Sequence, residues 1–179
     1  MEACERFPLI DVILDGWRGP LGADFDAYWN HCQRVANFCL AFAGDDLDLR
    51  EKLAVAAAFH DLGIWSDDTY DYLEPSRRLA RAYLADSGRS DWAEEIETTI
   101  ELHHGLRPFR GDATWLVEPF RRADWTDVSM GWLRSGLSRA FVARVLATFP
   151  NAGFHRRLVA LTLHRLRTHP LSPLPMLRL

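Results

Sequence analysis

Four residues, His31, His60, Asp61 and Asp124, put imidazole and carboxylate groups into apolar surroundings. His60 and Asp61 are adjacent in AVAAAFHDLGIW, residues 54–65, where nearly every other side chain is apolar or absent. A buried carboxylate is costly unless something pairs with it. A mixed imidazole and carboxylate shell suits a hard or borderline divalent ion, which would neutralise Asp61 where water is scarce. Adjacent helical residues point about 100° apart, so an ion held by both His60 and Asp61 must lie where a helix ends. Gly63, two residues on, is the expected stop.

The elements that must position these groups read as helical almost throughout. From Phe25 to Phe42 apolar residues recur at three and four, with Asp24 as the expected N-cap and His31 within the helix. LREKLAVAAAFHDLG turns apolar all round, as a central helix does. Further helices are expected from near Pro75 to Leu84, from about Asp91 to His104, and from Leu116 to about Leu133. Two more follow, Ser138 to Phe149 and about Phe154 to Arg167, and HPLSPLPMLRL reads as an extended strap. No period-two strand pattern stands out, so the expected class is all-α. Phe120, Asp124 and Val128 are spaced by four, which sets Asp124 on an apolar stripe with Asp127 close to the same face.

Composition narrows the function classes. The chain has 179 residues with 48% hydrophobic and 26% charged side chains, the profile of a globular protein forming one domain over 1–179. A formal net charge of −4 gives no support to nucleic-acid binding, and no apolar run is long enough to span a bilayer. The arginine-rich helix RRLVALTLHRLRTHP has the apolar residues to pack on the domain rather than on a membrane. The opening MEACERFPLI lacks the pattern of a secretory leader. Cys4, Cys32 and Cys39 form no CxxC pair, which argues against a disulfide framework, and Cys32 and Cys39, seven apart on one helical face, are expected as buried thiols in the cytoplasm. Of 21 basic residues only Lys52 is lysine; arginine forks suit phosphate, although codon bias accounts for the same count.

The ordered pattern H at 31, HD at 60–61 and D at 124 resembles the HD-domain superfamily of metal-dependent phosphohydrolases. Its context is NHCQRV, AAAFHDLGIW and RRADWTD, and it covers roughly residues 25–135. The resemblance implies a five-helix core followed by C-terminal helices over 138–179. It also implies one divalent ion (Mn, Co, Fe, Zn, Ni or Mg) on His31, His60, Asp61 and Asp124. Two-metal members, including an oxygenase branch, carry further ligand histidines. EPSRRLARAYL has none, so His103 and His104 are expected to face substrate or form an incomplete second site. The expected activity is hydrolysis of a small phosphorylated metabolite or nucleotide by a metal-activated water. Asp61 and Asp127 are the catalytic candidates, and Arg34, His103, His104 and Arg107 are the substrate contacts. Arg110, Arg121 and Arg122 are further phosphate candidates, and Asp67, Asp68 and Glu74 further bases. The competing readings are a di-iron oxygenase or lyase on the same scaffold, and a non-catalytic helical module. A homodimer is compatible with the sequence.

Overall fold

The computed structural model describes residues 4–44 and 47–178. Among these the elements are helical and no strand forms; a single parallel bridge joins Gly105 to Arg178. In chain order the helices are α1 (Pro8–Asp15), α2 (Arg18–Leu21), α3 (Phe25–Ala43), α4 (Leu47–Phe59) and α5 (Gly63–Ser66). They continue with α6 (Leu73–Asp86), α7 (Ala93–Leu102), α8 (Val117–Val128), α9 (Arg139–Thr148) and α10 (Phe154–Thr168). The all-α expectation and the five-helix core, α3, α4, α6, α7 and α8, are both met.

The hub is α3. It packs most extensively on α8, and also on α4, α1 and α9. Every residue from Asn30 to Cys39 on it is buried, so its polar side chains must find partners inside. Gln33 and Asn37 do so by accepting from the backbone N–H groups of Phe7 and Glu5, which straps residues 5–7 onto the hub. This strap leads into α1, a helix the sequence reading did not anticipate. Its signal was present: Pro8 opens it, and Ile10, Ile13 and Leu14 bury one face.

Asp24 makes no N-cap bond; its carboxylate instead accepts from Trp65 Nε1 at 3.0 Å. The central helix stops at Phe59 rather than at Gly63, so His60 and Asp61 lie in the turn that follows. That is where a shared ion requires them. Gly63 opens α5, and its role is close approach: a Cβ there would overlap the Tyr72 carbonyl oxygen and stand 2.9 Å from Ser76 N. Its own N–H donates to Ser76 Oγ at 2.9 Å, fixing the turn against α6.

The chain's last described residues cross back as the expected strap. Met176 is buried, and the Arg178 carbonyl accepts from Leu106 N–H at 2.8 Å, beside the turn that holds His103 and His104.

Candidate metal centre

His31 from α3, His60 and Asp61 from the turn after α4, and Asp124 from α8 converge in the interior, each between 0% and 3% exposed. Tyr28, one turn before His31, shapes the doublet's turn. Its hydroxyl donates to the Ala58 carbonyl at 3.0 Å and accepts from Asp61 N–H at 3.3 Å. Phe154, the first residue of α10, stacks on the His31 ring with centroids 4.0 Å apart.

The ring nitrogens are assigned by their partners. His60 Nδ1 faces the Ala57 carbonyl at 2.9 Å and His103 Nδ1 faces the Ile100 carbonyl at 2.6 Å. A carbonyl only accepts, so both Nδ1 atoms carry protons. His31 Nδ1 donates to Asp127 Oδ2 at 2.7 Å. Tethering of one ring nitrogen leaves the other Nε2 as a lone pair aimed at the centre, the arrangement that orients metal-binding histidines.

These lone pairs then meet. His31 Nε2 and His60 Nε2 are 2.9 Å apart. Such a contact needs either a cation between the rings or a proton on one of them. Burial pushes His60 down to about 4, so the proton is not on His60 at neutral pH. Two donors bonded to one ion at about 2.1 Å can stand no more than about 4.2 Å apart. His31 Nε2 lies 3.7 Å from Asp61 Oδ2 and 3.6 Å from Asp124 Oδ1, and His60 Nε2 lies 3.5 and 3.8 Å from the same atoms. These are five of the six pairs among the four residues and all fall inside that limit; the group whose donor atoms all lie within 4.8 Å of one another is His31, His60 and Asp61. Asp61 Oδ1 and both Asp124 oxygens are buried and accept no well-aligned hydrogen bond, so the donor set fits a cation.

Charge counting agrees. Arg34 is buried with Asp127, donating from Nε to Oδ1 at 2.5 Å and from Nη2 to Oδ2 at 2.8 Å, so that pair cancels. Burial alone would raise the Asp127 pKa, but Arg34 and the His31 hydrogen bond hold the carboxyl well below the usual range. Asp61 and Asp124 remain. Burial opposes their ionisation too, yet the surrounding imidazoles keep both below the ordinary carboxylate value. With the imidazoles neutral, as metal-binding ones must be, the two buried carboxylates match one divalent ion.

Several expected roles are corrected by these positions. Arg34 is not a substrate contact: the rest of its guanidinium donates to the Phe149 and Pro150 carbonyls at 3.1 and 3.2 Å. Asp127 is not a free base, because Arg34 and His31 occupy its oxygens; it positions His31 instead. Arg107 is exposed and lines a separate hollow with Pro108, Arg110 and Arg121. Arg121 is held by Glu118, and Arg122 by the Ser135 carbonyl. Asp67 and Glu74 pair with Arg78 and Arg77, and Asp68 is exposed.

His103 and His104 separate. His103 is fully buried, with Nε2 3.2 Å from Asp61 Oδ1 and 3.4 Å from the Tyr72 hydroxyl. Burial opposes its charge, but the Asp61 carboxylate outweighs this and raises its pKa. It therefore does not reach a substrate cleft. His104 does: its Nδ1 lies 3.1 Å from Asp124 Oδ2, and the ring borders a cleft of about 490 Å³. Asp61, His103 and His104 form a second donor group that shares Asp61 with the first. The sequence reading did not place Tyr28, Trp125 or His155 at the site or its cleft, since aromatic residues on helices read equally well as core.

A family model described as HD domain matches residues 28–128, more than half of the 179-residue chain, and spans all four converging donors. No curated protein and no solved structure matches the chain. On the extent of the family match, the chain belongs to the HD domain family.

Proposed function

We propose that this protein is a metal-dependent phosphohydrolase that cleaves a small phosphoester. The observation that carries the reading is the approach of His31 Nε2 and His60 Nε2 to 2.9 Å beside unsatisfied oxygens of Asp61 and Asp124. These four residues would hold one divalent ion, such as Mn, Co, Fe, Zn, Ni or Mg. When bound, such an ion supplies Lewis acidity and a nucleophilic water at neutral pH.

The chain's own groups do the rest. Asp127 and Arg34 fix the His31 tautomer, so its Nε2 is available without reorganisation. His104 stands where the cleft meets the donor cluster, and His103 sets a second imidazole against Asp61. Among the described residues no arginine lines the cleft beside His104, so His104 is the side chain left to meet phosphoryl charge. In the overall step a water oxygen bonds to phosphorus, the P–O bond to the alcohol breaks, and the alcohol leaves with a proton.

The test is metal content followed by turnover. Purified protein should hold about one divalent ion per chain and release phosphate from a phosphomonoester with Mn²⁺ or Co²⁺. Asp61→Ala should lose both with helical content retained, and absence of any ion and of any ion-dependent turnover would overturn the reading. A second reading, two ions and oxygenase or lyase chemistry, is favoured by the second donor group at Asp61, His103 and His104. A ratio of two irons per chain would select it.

A further inference from the structure

The cleft beside His104 is built for something other than a polar metabolite. Its volume, about 490 Å³, lies within the range typical of small-molecule sites. Ile64, Trp125, Leu158, Leu163 and Met176 supply its apolar walls, and among the described residues no Lys, Arg, Asp or Glu lines it. Its side-chain polar atoms other than those of His104 are already engaged, the Tyr72 hydroxyl and Trp125 Nε1 included. The Tyr70 hydroxyl and Thr162 Oγ1 bond each other at 2.8 Å, and His155 Nε2 meets the Val128 carbonyl at 3.1 Å. A sugar or nucleobase seated there would leave water without recovering its hydrogen bonds.

The walls are also left open to solvent. Met130 and Val159 are 58% and 57% exposed, and Leu163 and Leu174 are 49% and 40% exposed. All four line the same cleft. The outer wall comes from α10 and the strap, beyond the residues the HD family model matches. At the inner end stands His104, with Asp124 behind it. The cleft is thus an apolar hollow with the His104 imidazole, which also touches Asp124, in its wall, which commits it to a small ligand with one polar head rather than to a flat partner surface.

We infer that the cleft seats the apolar body of an amphiphilic phosphoester, an aryl or medium-chain alkyl phosphate, with its phosphoryl head beyond His104. This rests on the hydrolase reading for the head and on the cleft alone for the body.

The experiment separates the two. With the metal-loaded protein, kcat/KM should rise about fourfold per methylene along a series from ethyl to octyl phosphate, and exceed that for glucose 6-phosphate. Calorimetry with octylphosphonate and methylphosphonate, which are not cleaved, reads the same preference without turnover. Leu163→Asp and Val159→Asp alter exposed positions and should each reduce the octyl-to-methyl binding ratio at least tenfold. Leu166→Asp, on the same helix but outside the cleft, should leave the ratio as it is. Equal binding of both phosphonates, an unchanged ratio in the cleft variants, or a preference for the sugar phosphate overturns the inference and leaves hydrolysis standing. The binding preference without cleavage of any ester supports the inference and sinks the hydrolase reading.

Discussion

Arg34→Met removes the guanidinium that holds Asp127 and leaves a carboxylate buried at 0% exposure. Breaking a buried ion pair from one side costs about 3–5 kcal/mol. For a domain of this size that corresponds to a fall in Tm of roughly 6–20 °C. The cost should depend on pH, with a definite sign. In the wild type the Asp127 carboxyl lies well below its ordinary value, so its contribution is complete above about pH 4 and is lost only as pH falls further. Without Arg34, burial raises that pKa, and protonation relieves the stranded charge. The gap between variant and wild type should therefore be widest near pH 7 and narrow towards pH 4.5. Asp127→Asn in the Arg34→Met background should recover at least about 2 kcal/mol and flatten the pH dependence. Urea unfolding followed by circular dichroism, in chelator so that metal affinity does not enter, measures both. A loss under 1 kcal/mol, or a gap unchanged with pH, would refute the assignment of Arg34 and Asp127 as a buried pair.

Two other outcomes are expected. Gly63→Ala should cost about 3 kcal/mol by urea unfolding, because the obstructing atoms include backbone of Tyr72 and Ser76 and cannot swing aside; a loss below 1 kcal/mol would show that the turn relaxes freely. In chelator, His60 should make stability fall as pH drops from about 6.5 to 4. The unfolded chain takes up a proton that the folded chain refuses until about pH 4, so up to about 3 kcal/mol is lost across that window. His60→Gln should remove that part of the slope, and an identical slope in the variant would contradict it.

The donors were legible because local rules carry them. His31, His60, Asp61 and Asp124 each break an apolar pattern, and the doublet's adjacency forces it to a helix end. The roles of Arg34 and Asp127 were not legible, although both residues were singled out. Helical spacing puts each on a face, but their partnership spans 93 positions, and only packing of α3 on α8 decides it. His103 and His104 look equivalent as neighbours at a helix end; the turn after α7 sends one inward and the other to the cleft. The cleft itself was hidden for a related reason. Tyr70 and Tyr72 sit in WSDDTYDY, which reads either as the edge of a substrate pocket or as an exposed loop, and Met176 in a proline-rich tail, and no local signal brings the two segments together.

The Arg34 contacts to the Phe149 and Pro150 carbonyls span 115 and 116 positions, which matters for how the protein comes off the ribosome. All four donors have been synthesised by residue 124, yet the guanidinium behind them stays part-satisfied until Pro150 has emerged. A nascent chain halted between these points would hold every ligand and still have an unfinished interior. The unit with this interior complete thus reaches at least some twenty residues past the family match, and truncations meant to isolate a minimal domain belong after Pro150, not at Asp124.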